Sequence, residues 1–297
     1  MTLTINTNMS SLIVQSNLNA ATTMLNRSIE RMTTGFKINH AADNAAGYSI
    51  ATNWKKQLSS LDVAADNAAT GADMMTTLED TYSLISSHLQ RVRDLTEQAA
   101  NGTYGSESLI AIKSEITARL EEIDRVASNC EFNGLKMMDG SMENRDINLQ
   151  VGIYSDSNSQ IKLIKTLFQD AHVEKMFETY AGTAGGVEEV AKLCSGYDAD
   201  AKKIIGNQSD MLNKIDKVIN EISARNTTLG AAQNRIESAT ESISVQTENI
   251  TSSLSTLRDA DVAEESSNYI RAQILQQASA TLLATANQAP SIALNLL

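Results

Sequence analysis

Seven aliphatic residues in the last third of the chain recur at every seventh position without a gap. They are Ile215, Ile222, Leu229, Ile236, Ile243, Ile250 and Leu257. An apolar repeat of seven held over so many heptads is typical of a helix packed in a coiled coil. Because one helix cannot bury such a seam alone, the chain must supply partner helices.

The N-terminal half contains a matching pattern. Trp54, Leu61, Ala68, Met75, Tyr82 and Leu89 also lie seven residues apart, and Leu78, Ile85 and Val92 form a second row offset by three. Two rows with this offset correspond to the a and d positions of a coiled coil. Gly71, among several alanines, is expected to allow close approach of a neighbouring helix. Residues 109–123 form a third apolar stripe, with Ser106 or Ser108 as its N-cap.

The middle of the chain has a different pattern. Apolar and polar residues alternate over 147–153, and a turn-rich stretch separates them from 161–164, which predicts a β-hairpin. Asn133 and Gly134 form a turn signal just before it. Two short helical stretches follow, separated by Gly182, Gly185 and Gly186. The predicted fold is mainly α: an elongated coiled-coil bundle with a terminal helix pair and a small β-hairpin in the middle.

Both ends of the chain lack charged side chains. The first charge is Arg27 and the last is Arg271. Since burying unpaired charge is costly, uncharged ends on an acidic chain indicate surfaces that become buried. We expect the ends to be ordered by neighbouring copies, in which case the chain is a polymer subunit. The apolar residues expected to make assembly or chaperone contacts are Leu12, Leu18, Leu25, Ile270, Ile274, Leu275, Leu282 and Leu283.

Composition argues against several classes of protein. A net charge of −12 is unsuited to binding nucleic acid. No run of about 18 apolar residues predicts a membrane span, and the N-terminus has no signal-peptide pattern. Cys130 and Cys194 fit neither a zinc pattern nor a disulfide framework; two isolated thiols are favoured over a single disulfide.

The sequence contains no recognisable catalytic or cofactor motif. Its three histidines are scattered, and no H-E-x-x-H, phosphate-binding loop or nucleophile elbow is present. His172 is interpreted as a solvated surface residue. We therefore expect no enzymatic activity, no cofactor and no metal.

Several segments resemble the bacterial flagellin family. They are SIERMTTGFKINHAADNAAGYSIA (28–51), LQRVRDLTEQAANGT (89–103), EITARLEEIDRV (115–126), AQILQQA (272–278) and ATANQAPSIALNLL (284–297). The resemblance covers roughly residues 1–160 and 205–297. It implies a filament subunit found outside the cell in the bacterial flagellum, exported without a cleaved signal peptide by the flagellar type III system.

The resemblance also implies a division into domains. An inner terminal-helix domain would comprise 1–44 and 258–297, and a helical spoke domain with the hairpin would comprise 45–165 and 205–257. Residues 166–204 would be a short outer insertion in place of the large variable domains common in the family.

Partners follow from the same resemblance. The homopolymer, an export chaperone, and the flagellar cap and junction proteins are expected. An animal innate immune receptor is expected to recognise Gln90, Arg91, Leu95 and Glu115, the last of which lies on the third helix. The same four residues could serve only lateral packing in the filament.

Two alternatives stay open from the sequence. One is the flagellar hook–filament junction protein, which shares the terminal helices; the Ala-Asn-Gln-Ala-Pro ending favours flagellin. The other is a monomeric helical adhesin or immune ligand. Such a protein has no need for two long uncharged ends.

Overall fold

The computed structural model describes residues 7–142, 145–183, 185–198, 203–204 and 208–294. The outermost residues of the predicted inner domain, 1–6 and 295–297, lie outside this set. The helices are α1 (Met9–Thr34), α2 (Ala45–Ala100), α3 (Ser106–Asn129), α4 (Val173–Ala181), α5 (Val187–Ser195), α6 (Gln208–Arg258) and α7 (Val262–Leu294). The mainly α prediction is confirmed.

Short antiparallel strand pairs make up the β-structure. They are β1 (Glu131–Phe132) with β2 (Leu135–Lys136), β3 (Ile147–Gln150) with β4 (Gln160–Leu163), and β5 (Tyr197–Asp198) with β6 (Lys203–Ile204). In the predicted hairpin, Ile147 lies opposite Leu163. Asn133 (φ 49°) and Gly134 (φ 78°) form the tight turn between β1 and β2, because both central residues of this turn need positive φ.

The chain forms two compact units. Unit 1 consists of residues 1–59 and 247–297, and unit 2 consists of residues 60–246. The predicted division into inner, spoke and outer domains stays a prediction.

The heptad rows form the core of unit 2. Ile215, Ile222, Leu229, Ile236 and Ile243 on α6 are each at most 4% exposed. Leu61, Ala68, Met75, Tyr82 and Leu89 on α2 are at most 1% exposed, and the offset row Leu78, Ile85 and Val92 is fully buried. The apolar stripe of α3 is buried as well. Periodicity therefore identified the buried faces of all three helices.

Two local expectations were wrong. Helix α3 begins at Ser106, but its N-cap is Gly105, which has no side chain to cap with, and Ser108 lies inside the helix. Gly71 makes room for the β-hairpin rather than for a helix: a Cβ atom there would lie 2.4 Å from a methyl group of Leu149 on β3.

The segment after the hairpin packs onto the helices of unit 2. Phe168 and Phe177 are fully buried, and α5 lies along α3. Lys113 on α3 pairs with Glu188 on α5, and the Cys194 thiol on α5 hydrogen-bonds to Thr96 on α2. The two short helices end at Gly182 and Gly196, both with positive φ, as helix ends favour.

Unit 1 contains the pair formed by α1 and α7. Asn8 caps α1 by accepting from the Ser11 amide, and its own amide nitrogen donates to the Ala286 carbonyl of α7 at 2.7 Å. Arg31 Nη1 lies 2.9 Å from Glu265 Oε1. These contacts hold the two uncharged segments side by side, as the sequence predicted for a terminal helix pair.

Candidate assembly surface

Large apolar side chains are exposed along both helices of the terminal pair. Each of the following is more than a third exposed: Met9, Leu12, Ile13, Met24, Ile29 and Met32 on α1, and Val262, Ile270, Ile274, Leu275 and Leu282 on α7. Monomeric proteins rarely expose so large a set of neighbouring apolar residues, and such sets mark interaction sites.

The eight residues predicted for assembly or chaperone contacts divide into two groups. Leu12, Ile270, Ile274, Leu275 and Leu282 are 46–60% exposed. Leu18, Leu25 and Leu283 are half-buried. The first group is therefore available to a partner as it stands, whereas the second is already partly covered. Sequence reasoning did not name the exposed methionines of α1, although they lie in or next to the uncharged segment.

Helix α7 has apolar and polar residues mixed around its whole circumference, so it has no single apolar face. An amphipathic helix can bury its apolar residues against one neighbour, whereas apolar residues spread around a helix need neighbours on several sides. α1 covers only part of α7. The remaining faces of α7 are consequently suited to further helices.

Charge is unevenly divided between the two units. Unit 1 contains seven cationic and seven anionic side chains and is neutral, whereas unit 2 contains 17 cationic and 29 anionic ones and has the whole net charge of −12. Like charges that are brought together repel, so the neutral unit is the one that can be packed densely against copies of itself.

The four predicted receptor-recognition residues do not share one open surface. Arg91 Nε and Nη2 on α2 donate to Glu115 Oε1 on α3 at 2.9 and 2.8 Å, and Gln90 beside them is exposed. Leu95, however, is only 2% exposed. Although it lies one helical turn from Arg91, Leu95 points into the core.

His172 is not a free surface residue, contrary to the sequence interpretation. Its Nδ1 lies 2.6 Å from Asp170 Oδ1 and its Nε2 lies 2.9 Å from Ser128 Oγ. This is the hydrogen-bond order of a Ser–His–Asp triad. Ser128, however, lies in the last turn of α3, where helix carbonyls create negative potential, the opposite of what an oxyanion requires. We interpret the cluster as a structural link from α3 to the start of α4.

The neighbouring carboxylate of Asp124 takes part in the same link. It accepts from the Val173 amide at 2.7 Å and so satisfies a free donor at the start of α4. Burial raises the pKa of Asp124, and this hydrogen bond opposes the shift.

Both cysteines are free and buried. Burial raises the pKa of the Cys194 thiol to about 12 and also raises that of Cys130, so neither forms a thiolate near neutral pH. Among the described residues, no group of acidic, histidine or cysteine side chains could hold a metal ion. None of the described helices is long and apolar enough to cross a membrane.

These features define a class: a helical protein whose terminal helix pair exposes apolar surface. Two family models match the chain, the bacterial flagellin N-terminal helical region over residues 5–143 and the bacterial flagellin C-terminal helical region over residues 212–297. The chain belongs to the bacterial flagellin family.

Individual relatives agree with this assignment. The flagellin of Bacillus subtilis (strain 168) is 32% identical, and 99% of each chain is covered. The flagellar filament 33 kDa core protein of Treponema phagedenis is 30% identical, again over 99% of each. A solved flagellar hook-associated protein from Vibrio parahaemolyticus shares the fold (TM-score 0.61) over 73% of this chain and 100% of that chain, at 12% identity. The family supplies the structural subunit of the flagellar filament and is not a family of enzymes.

Proposed function

We propose that this flagellin polymerises by burying the apolar faces of α1 and α7 against the same faces of neighbouring copies. The observation that carries this proposal is the set of exposed apolar side chains on the terminal helix pair. Burial of apolar surface contributes roughly 25 cal/mol per Å² removed from water, so several exposed side chains of this size drive association. Because unit 1 has no net charge, packing its own faces together adds no net repulsion to that between the acidic units 2.

Two substitutions on α7 test the proposal. Ile274 and Leu282 are 60% and 57% exposed, so Ile274→Asp with Leu282→Asp should leave the subunit folded. Buried unpaired carboxylates are strongly unfavourable, so this variant should form no filaments. The matched control is Ile164→Asp, an exposed apolar position at 45% in unit 2.

Electron microscopy after precipitant-induced polymerisation, with circular dichroism to check helix content, is the measurement. Filaments from the wild type and the control only would support the proposal. Filaments from the doubly substituted variant would contradict it. An absence of filaments from the wild type would favour the junction protein or a monomeric adhesin.

The same faces suit transient partners before and after export. A chaperone that covers Ile270, Ile274, Leu275, Leu282 and Leu283 would prevent aggregation inside the cell, and we propose export by the flagellar type III system to the flagellum outside it. The cap and junction proteins would meet the same helices at the filament ends. Deleting residues 272–297 should abolish chaperone binding in a pull-down, and retained binding would exclude Ile274, Leu275, Leu282 and Leu283 as the site.

Receptor recognition of the α2–α3 surface is a second proposal. The exposed Gln90 and the Arg91–Glu115 ion pair offer a polar surface to an innate immune receptor, whereas Leu95 could take part only if its surroundings opened. Arg91→Ala should lower reporter signalling. The control is Arg125→Ala, which removes another exposed arginine, one paired with Glu122. Equal signalling from both variants would argue that these residues serve filament packing alone.

A further inference from the structure

A cleft with an excess of arginine lies between α1 and α7 in unit 1. Its volume is about 270 Å³. Met24, Arg27, Ser28 and Arg31 line it from α1, and Glu265, Asn268, Arg271, Ala272 and Leu275 line it from α7. The two arginines that bound the uncharged ends of the chain, Arg27 and Arg271, are thus brought to one place.

The cleft contains more positive charge than it neutralises. Glu265 is its one acidic residue, has a side chain only 8% exposed, and pairs with Arg31 Nη1. Arg27 and Arg271 are exposed and form no ion pair within the part of the chain that the structure describes. The lining residues alone, three arginines and one glutamate, sum to +2, and the carboxylate of Asp43 also interacts electrostatically with Arg31 and Arg27.

The cleft lies within the proposed assembly surface. Met24 and Leu275, which line it, are 60% and 46% exposed and belong to the apolar set described above. A copy that covers these side chains also covers Arg27 and Arg271 and removes water from them. Desolvated guanidinium groups without a counter-charge are strongly unfavourable, so the covering surface must bring negative charge.

We propose that the cleft binds an acidic side chain of a second copy of this chain and that this ion pair sets the register between neighbouring subunits. The inference rests on the proposed polymerisation through α1 and α7. Each copy offers 36 aspartate and glutamate residues and an acidic unit 2. A guanidinium group binds a carboxylate with two parallel hydrogen bonds, which fixes orientation as well as position.

A zero-length cross-link tests the proposal. Arg271→Lys places an amine in the cleft, and a water-soluble carbodiimide joins an amine only to a carboxylate in direct contact. Filaments are grown from equal parts of ¹⁴N- and ¹⁵N-labelled Arg271→Lys protein, treated with carbodiimide, and digested for mass spectrometry. Arg27→Lys is a second variant for the same experiment, and Arg235→Lys, an exposed position on α6 in unit 2, is the control.

The expected result is a mixed-isotope peptide that joins position 271 or 27 to an aspartate or glutamate of another copy. Cross-links only to Glu265 of the same copy, or none from either variant, would overturn the proposal. Filaments that hold one inorganic phosphate per subunit in the cleft and give no cross-link between copies would also overturn the proposal.

Two Arg→Gln substitutions distinguish a failure of the proposed ion pair from a failure of the proposed polymerisation. Arg271→Gln should raise the critical concentration for polymerisation at least tenfold, whereas Arg235→Gln should change it less than twofold. Equal critical concentrations for the two variants would overturn the ion pair and leave polymerisation itself intact. Failure of the wild type to polymerise would instead overturn the proposed function.

Discussion

Arg225 is a buried cation in the core of unit 2. Its side chain is 3% exposed, and its Nη2 donates to the Tyr180 hydroxyl at 2.7 Å. The guanidinium carbon lies 5.3 Å from the centre of the Tyr180 ring and 6.0 Å from that of Tyr82. Tyr82 in turn donates to the Leu167 carbonyl, and burial raises the pKa of its phenol. Arg225 thereby links α6 to α2 and to α4.

Replacing Arg225 should loosen this link without disturbing the terminal helices. Arg225→Met keeps the apolar stem but removes the hydrogen bonds and the cation–π contacts, so the free energy of unfolding of unit 2 should fall by about 2 kcal/mol. Urea unfolding followed by tyrosine near-ultraviolet circular dichroism measures this change.

The control is Arg235→Met on the same helix, where an exposed substitution should change the free energy by less than about 0.5 kcal/mol. Equal effects of the two substitutions would mean that the contacts of the buried Arg225 do not contribute to the free energy of unfolding.

The sequence did contain a signal for Arg225: it lies three residues after Ile222, in the second apolar row with Val218. A charged residue at such a position requires buried partners.

At the scale of elements, the contact between α2 and the hairpin depends on Gly71. Glycine in the interior of a helix costs about 1 kcal/mol of stability relative to alanine. A glycine found there usually has a packing reason. Here the reason is Leu149, whose isobutyl end lies where a Cβ atom would be.

Gly71→Ala should therefore destabilise unit 2 by about 1–2 kcal/mol despite its better helix propensity, because overpacking outweighs that gain. In a double-mutant cycle with Leu149→Ala, the two substitutions should be less destabilising together than the sum of their separate effects. Thermal unfolding measures each variant. Additive effects, or a more stable Gly71→Ala protein, would contradict the contact.

The elements that the sequence predicted well are those specified by local period. The heptad rows of α2 and α6 and the Asn133–Gly134 turn appear in the structure, and the alternation predicted over 147–153 forms a strand over 147–150. The features that could not be predicted depend on distant parts of the chain. The partner of Gly71, the hydrogen bond between His172 and Ser128 and the burial of Leu95 are each decided by residues on another element.

At the scale of the whole molecule, the neutral unit 1 and acidic unit 2 predict how polymerisation responds to salt. Copies with a charge of −12 on unit 2 repel at low ionic strength. The Debye length falls from about 30 Å at 0.01 M to about 8 Å at 0.15 M, so added salt should screen this repulsion.

The critical concentration measured by light scattering should accordingly fall severalfold between these two ionic strengths. A non-ionic osmolyte at matched osmolality is the control and separates screening from water activity. A critical concentration that is constant or rises with salt would mean that the charge of unit 2 does not oppose assembly.

Methionine oxidation reports whether assembly buries the faces of α1 and α7. Met9, Met24 and Met32 on α1 are 39–62% exposed, whereas the described methionines of unit 2 are at most 5% exposed and act as an internal control. Oxidation by peroxide follows exposure. We expect rapid oxidation of these three residues in the monomer and protection in the filament, measured by peptide mass spectrometry. Equal oxidation in monomer and filament would contradict it.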